Sequence, residues 1–378
     1  MILTIDGSNS RSGGAVTYLS NLLNYAEPEK CGIKKIVLFG HSNLLKFIKE
    51  KEWLQMVFEP QLDRPLPFRL RWLWIVFPKL IENSDLVFLP GANYVDLKIP
   101  YVSISQNLLP FSDARKMFGF SKRRFRYEYL RLSQSKCFEK SRGMIFPNNY
   151  TKKVVLEKLK KAPNLIKIIP HGIPKRFFFK PKVQKWLRNY SNEKPFKFFF
   201  SSAISIYKYH SNVVKAFSIL RKMGYPITLD FAGDISYLPA FRHLSKTIKI
   251  YDPDNNFVRY LGSIPYGEIH NLYKNYDAFI FSSTCETFGF PLFEAMASGL
   301  PVVASDFGLT REILGENTIY FDPRKPEEIV EAVVRLVEDK NLREEIAWSN
   351  YRKSKDYSWE KCADETFKFL KLCLDSDL

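Results

Sequence analysis

The sequence predicts an α/β protein made of two doubly wound, Rossmann-like domains. Three observations lead there. The chain has 378 residues, more than one hydrophobic core ordinarily holds. Short runs rich in Ile, Val and Phe alternate with segments of helical period, the pattern of parallel sheets covered by helices. The alternation starts afresh at Phe196, after a polar and basic stretch, 171–195, punctuated by Pro174, Pro181 and Pro195.

In the first half the apolar runs predict strands near 1–6, 35–40, 85–89, 101–105, 143–146 and 165–169. Helical periods cover 15–25, 43–51, 118–140 and 149–161. The second half predicts strands near 196–201, 226–232, 257–261, 277–282, 301–304 and 318–321, with helices near 211–223, 266–275, 291–299 and 326–339. Trp359 to Leu374 reads as an amphipathic helix. Open sheets of this kind bind ligands beyond the carboxyl ends of their strands, and two of them facing a cleft suit an enzyme that joins two substrates away from water.

Composition narrows the class. Hydrophobic residues make up 46% of the chain, which fits a folded protein rather than a disordered one. The five cysteines (Cys31, Cys137, Cys285, Cys362 and Cys373) are scattered and never form C-x-x-C, so the reading is a reducing, cytoplasmic setting without zinc or a disulfide framework. No basic-then-apolar leader and no membrane-spanning run are expected. Net charge is +17, with +26 in residues 1–250 and −9 in residues 251–378. Such asymmetry fits an anionic partner, either nucleic acid or an anionic membrane surface, as well as a plain solvated face. Residues 115–161 interleave dense basic charge with Phe118, Phe120, Phe125, Tyr127 and Tyr129, as an interfacial helix does. A second aromatic and basic stretch, 67–78, is expected in the core.

The chemistry concentrates in 277–305. A buried strand ends at Phe281, a polar loop follows, Pro291 opens a helix, and Gly299 ends it before Pro301. Gly289 allows close backbone approach at a helix start, where amides attract anions. Glu286 in the loop and Glu294 in the first helical turn flank that site. Carboxylates repel a diphosphate, so their partners are hydroxyls. A ligand with both phosphates and diols, such as a nucleotide sugar, matches. An ordinary capped helix would explain either glutamate alone.

This segment resembles the E-x7-E signature of retaining family-4 glycosyltransferases, which have the two-domain GT-B fold. The likeness continues through Gly299, Pro301, Val302, Ala304 and Glu312 to Asp322-Pro323. It extends to Val258-Arg-Tyr-Leu-Gly-Ser-Ile, Ile169-Pro-His-Gly-Ile and Tyr357-Ser-Trp-Glu. The resemblance implies that Glu286 contacts the donor sugar, Glu294 holds the ribose hydroxyls, and the backbone of Phe288, Gly289 and Phe290 binds sugar and diphosphate. It places Gly262, Ser263 and Ile264 near the base, and Gly13 and Gly14 of the first glycine loop toward the donor phosphates. It also implies an acceptor-binding domain over 1–178, a donor-binding domain over 179–356, and a final helix over 357–378 that returns to the first domain.

Two departures stand out. Of the Arg and Lys usual after the first strand of the second domain, Lys208 fits the Lys, while Ser201 or Ser202 stands near the Arg. The His usual after strand 101–105 is replaced by Ser105-Gln106-Asn107, where Gln106 can donate a hydrogen bond but not act as a base. Asp252-Pro253-Asp254 has the form of a metal-binding D-x-D but reads as a turn. His41, His171, His210, His243 and His270 show no metal-ligand spacing. The expected activity is metal-independent, retaining hexosyl transfer from a nucleotide sugar, UDP-linked before GDP-linked, to a glycan or lipid-linked acceptor in bacterial surface polysaccharide or lipopolysaccharide assembly. The expected place is the cytoplasm, at the inner face of the plasma membrane. The alternatives are a non-catalytic sugar-nucleotide-binding protein and a basic nucleic-acid-binding protein, for which no recognition signature appears.

Overall fold

The computed structural model describes residues 1–11, 13–93 and 96–376. They form two compact units. One comprises Met1–Arg115, Gly119–Gly172 and Tyr357–Leu378, and the other Lys116–Phe118 and Ile173–Asp356.

The first unit carries β1 (Ile2–Asp6), β2 (Lys35–Gly40), β3 (Leu54–Phe58), β4 (Leu86–Leu89), β5 (Tyr101–Ile104), β6 (Gly143–Phe146) and β7 (Leu165–Ile168). The sheet order is β3-β2-β1-β4-β5-β6-β7, parallel throughout. Every residue of β4, β5 and β6 is buried, which explains their unbroken apolar sequences, since helices cover both faces of a parallel sheet. β3 escapes the sequence reading for the opposite reason. It is an edge strand whose Leu-Gln-Met-Val-Phe is partly exposed and has no apolar run.

Helices differ from expectation mainly in extent. The one expected at 43–51 is a single turn, Ser42–Leu45, and the one at 118–140 begins at Lys122, capped by Ser121. A helix Leu66–Arg71 runs through a π-turn, Trp72–Val76, into Phe77–Leu80. This corrects the placement of 67–78 in the core. Trp72, Leu73 and Phe77 are buried, but Phe68, Trp74 and Ile75 are about half exposed, because only one side of the helix meets the sheet. The final helix, Trp359–Asp375, lies in this unit and packs on helix Gly13–Asn24. Its Trp359 stacks on His171 and lies beside Tyr18. Burial pushes the pKa of His171 down to about 3, so the imidazole is neutral and part of the packing.

The second unit carries β8 (Phe196–Ser201), β9 (Ile227–Ala232), β10 (Val258–Tyr260), β11 (Ala278–Phe281), β12 (Val302–Ser305) and β13 (Ile319–Phe321), in the order β10-β9-β8-β11-β12-β13. All pairs are parallel. Phe196, Phe198 and Phe200 of β8 anchor its core against Val213, Val214 and Phe217. Helices Leu238–Tyr251, Gly308–Leu314 and Lys340–Ser354 were not expected. The last buries Arg343, whose guanidinium donates to the carbonyls of Leu336, Val337 and Lys185. A charged residue on the buried face hides the amphipathic period. The helix expected at 266–275 is only Ile269–Tyr273.

Strand order reverses between β1 and β4 in the first sheet and between β8 and β11 in the second. Loops leaving adjacent strands at such a point diverge to opposite faces and open a crevice. Among the described residues no helix is long and apolar enough to cross a membrane.

Candidate functional site

The loops after β8 and β11 leave neighbouring strands at the switch point of the second sheet, and they are tied together. Thr284 donates its amide to the carbonyl of Tyr207 at 3.0 Å and its hydroxyl to the same oxygen at 3.3 Å. The Ser282 hydroxyl donates to the Lys208 carbonyl at 2.5 Å. This lacing brings Lys208 against Glu286, 78 residues away, and its ammonium donates to Glu286 Oε1. The two side chains are only 8% and 16% exposed. A pair so withdrawn from water costs desolvation, and removing one member would strand the other.

Glu286 leads into a second device. Gly289, at φ 82°, starts the helix Phe290–Ala297, and no side chain caps it. A left-handed backbone there costs a residue with a Cβ about 1–2 kcal/mol. Phe288 is buried and stacks on Phe293, with Phe290 edge-on to it. The three loop residues 288–290 are thus held by a small aromatic wedge next to Glu286.

Glu294 requires two corrections. It lies beyond the first helical turn, which has no acidic residue, because the helix begins one residue before Pro291. It is also only 3% exposed. Tyr273 donates its hydroxyl to Glu294 Oε2 at 2.9 Å. The buried Tyr266 hydroxyl also lies near this carboxylate, close enough to lower its pKa, outside good hydrogen-bond geometry. Desolvation outweighs these donors and raises the carboxyl to about 7. Glu294 is therefore a group whose charge changes near neutral pH.

The ends of β8, β9 and β10 are joined too. Ser202 donates its amide to Ala232 O and Ile204 to Asp234 O, and Gly233 donates to Gly262 O. The backbone of Gly233 passes so close to the Ser202 carbonyl that a Cβ has no room. Gly262 and Ile264 are partly exposed and Ser263 exposed. Ser202, near the missing arginine, instead contacts His210 Nε2 at 3.1 Å. His210 stacks on Phe200, and burial next to Lys208 lowers its pKa to about 3. It adds no positive charge. Lys208 thus carries the cationic role on this loop alone.

Sequence reasoning missed Tyr266, Tyr273 and Gly233. The glycine was legible as the residue that ends a buried strand. The tyrosines had no local signal, since nothing near 266–273 says which face meets Glu294.

Gly13, Gly14 and Gln106 belong to the first unit. Gly13 opens helix Gly13–Asn24 and, like Gly14, is exposed. Gln106 follows β5, and its Nε2 is buried without a partner, as is the Ser105 hydroxyl before it. Nearby strand ends hold Asp6, which accepts from Asn93 at 3.0 Å and from the Ser8 amide at 2.9 Å. A cavity of about 550 Å³ lies at the other ends of β5, β6 and β7, lined by residues that precede them, such as Lys98 and Arg142. It is remote from this chemistry.

Asp252 of the D-x-D sequence accepts from the amides of Asn256, Phe257 and Val258 at 2.7–3.0 Å, a structural turn. Among the described residues no three His, Cys, Asp or Glu side chains gather as a metal site.

Residues 184–353 match the family described as glycosyl transferases group 1. The chain is 32% identical over 116 residues to an O-antigen chain mannosyltransferase B of Escherichia coli, covering 31% of this chain and 30% of that protein. It spans 30–42% of the length of the first three curated relatives it matches. Among solved structures, sucrose-phosphate synthase of Thermosynechococcus elongatus superposes with a TM-score of 0.77 at 15% identity, over 98% of both chains. Anabaena HepE in complex with UDP-glucose gives 0.73 at 17% identity, over 98% of this chain and all of that one. Residues 184–353 thus carry the match to the glycosyl transferases group 1 family, and the two parallel-sheet units have the GT-B fold of these glycosyltransferase structures.

Proposed function

We propose that this protein is a retaining, metal-independent glycosyltransferase that moves a hexose from a nucleotide sugar, UDP-linked before GDP-linked, to a glycan or lipid-linked acceptor. The observation that carries the reading is the withdrawn Lys208–Glu286 pair at the switch point, beside the uncapped helix start at Gly289. A donor diphosphate seated there draws Lys208 toward its oxygens and frees Glu286 to accept from sugar hydroxyls. As the glycosidic bond breaks, negative charge grows on the leaving diphosphate, where a fixed ammonium and backbone amides stabilise it most. Glu294, in its charged form, accepts from the ribose diol. Relatives support the donor class: HepE structures hold UDP-glucose or UDP. The O-antigen chain mannosyltransferase supports a role in bacterial surface polysaccharide or lipopolysaccharide assembly.

The basic first unit, with its exposed aromatic residues, supports work at an anionic membrane surface on the cytoplasmic side. Isothermal titration with UDP-, GDP- and TDP-sugars tests the donor site. Failure of all three to bind, or Glu294→Ala binding as well as wild type, sinks the assignment. The anomer formed, read by NMR of the product, tests retention.

A further inference from the structure

Among the described residues, none covers the outer face of helix Lys122–Lys140. Phe125, Tyr129 and Leu132 recur at helical spacing and are 67%, 56% and 58% exposed. Lys122, Arg126 and Lys136 lie on the same exposed face. Phe120, just before the helix, is fully exposed. The helix 66–80 adds Phe68, Trp74 and Ile75. Large apolar residues in such number, set among cations, mark a surface that meets an amphiphile rather than water.

Arg69 has two like-charged neighbours, each from a separate element. Arg69 of Leu66–Arg71 lies within electrostatic reach of Arg126 and of Arg11, in the loop after β1. Arg11 is held there by its guanidinium, which donates to Leu62 O at 2.5 Å. The Nε of Arg69 is buried and without a partner. Among the described residues neither Arg69 nor Arg126 has an acidic partner. Asp63 accepts from the Ser42 amide at 3.3 Å and acts on His41, not on Arg69. Burial, then the repulsion of Arg11 and Arg126, lowers the pKa of Arg69. Like charges held together without an acid are costly in the free protein, and a ligand anion relieves that cost. The loop that supplies Arg11 leaves β1 at the switch point of the first sheet, where an open sheet takes its ligand.

We propose that Arg11, Arg69 and Arg126 bind the phosphate of an amphiphilic acceptor, whose apolar part lies along Phe125, Tyr129 and Leu132. The proposal rests on the glycosyltransferase reading for the word acceptor, and on this unit alone for the binding. Guanidinium groups from three elements surround a phosphate oxygen by oxygen, and arginine suits that geometry better than lysine. The aromatic stripe then selects a phosphate attached to a chain.

The test is flotation of the full chain with phosphatidylcholine vesicles containing farnesyl phosphate or, in a parallel series, farnesol. Wild type is expected to float with the phosphate and not with the alcohol. Arg69→Gln/Arg126→Gln should lose about 30-fold in partitioning, and Arg126→Gln alone, an exposed change safe for folding, about fivefold. Lys153→Gln/Lys158→Gln removes equal charge from another exposed basic segment and should keep the phosphate preference. Inorganic phosphate distinguishes the source: competition assigns the arginines to any phosphate, and its absence assigns them to the amphiphile. Undiminished flotation of both Arg variants, or an equal loss in the Lys variant, overturns the site. Titration of wild type with UDP-glucose reads the donor site separately. If it fails while flotation holds, the transfer reading falls and the phosphate site stands.

Discussion

The strand-end loops of the two sheets are furnished in opposite ways. In the second unit the polar groups are largely spent on each other: Lys208 on Glu286, Tyr273 on Glu294, Ser282 and Thr284 on the carbonyls of the facing loop. In the first unit Ser105, the Gln106 amide and Arg69 Nε are buried without partners. A ligand of the second unit must therefore exchange existing interactions, and a ligand of the first supplies missing ones. Preorganised donors favour a developing charge because they need no rearrangement when it forms. Unspent donors favour selection, because a ligand that lacks the matching group leaves them unpaired.

The comparison breaks most sharply at Lys208. Lys208→Met strands a withdrawn carboxylate and removes the single cation of its loop. Unfolding free energy should fall by about 3 kcal/mol, and UDP-glucose turnover by about 10²–10³, measured by denaturant melts and product assay. Lys208→Met/Glu286→Gln should regain much of the stability and none of the turnover. Equal turnover in wild type and Lys208→Met would remove the ion pair from the mechanism.

Glu294 gives the next effect. Its folded carboxyl, raised to about 7, holds a proton that the unfolded carboxyl, near 4.5, has already lost. Its contribution to stability is full below about 4.5 and disappears as pH rises through about 7, on the order of 3 kcal/mol across that window. Denaturant melts of wild type minus Glu294→Gln should show that slope. UDP-glucose affinity should move the other way, rising with pH through about 7 as the charged acceptor forms. The sugar nucleotide is a useful probe because its diphosphate does not titrate there. A pH-independent difference between the two proteins refutes the burial argument.

Smaller effects sharpen the contrast. Gly289→Ala meets no atom closer than 3.5 Å, so only its φ of 82° is penalised. A loss of about 1 kcal/mol, with weaker donor binding in calorimetry, is expected. Gln106→Leu carries the opposite sign. It deletes an unpartnered buried amide, so melts should show a gain of about 1 kcal/mol, while the acceptor KM rises. A destabilised Gln106→Leu would mean that this amide is already satisfied in the free protein.

Much of this molecule was legible in one dimension because its signals are local. Buried parallel strands need unbroken apolar runs, and all twelve expected strands are present. The edge strand Leu54–Phe58, half in water, left no such run. The loop-helix junction around Gly289 was equally legible, since a positive φ and a helix start are written in adjacent residues. Of the helices that went unseen, Lys340–Ser354 carries a buried arginine, Gly308–Leu314 is short, and Leu238–Tyr251 buries only Leu244 and Thr247, too few for a clear apolar stripe.

By itself the sequence determined the two parallel αβ series, the Gly289–Phe290 junction, and Lys208, Glu286 and Glu294 as the groups to examine. Lys208 came from the family resemblance, and the others depend on neighbours within a few positions. Tertiary structure alone decided that Lys208 meets Glu286, because only the pairing of β8 with β11 makes their loops adjacent. It also buried Glu294 under Tyr273 and brought Arg11, Arg69 and Arg126 to one corner. Which side of helix Lys122–Lys140 faces water was likewise settled by packing. Dielectric, charge proximity and exposure belong to distances through space, and no local pattern along a chain encodes them.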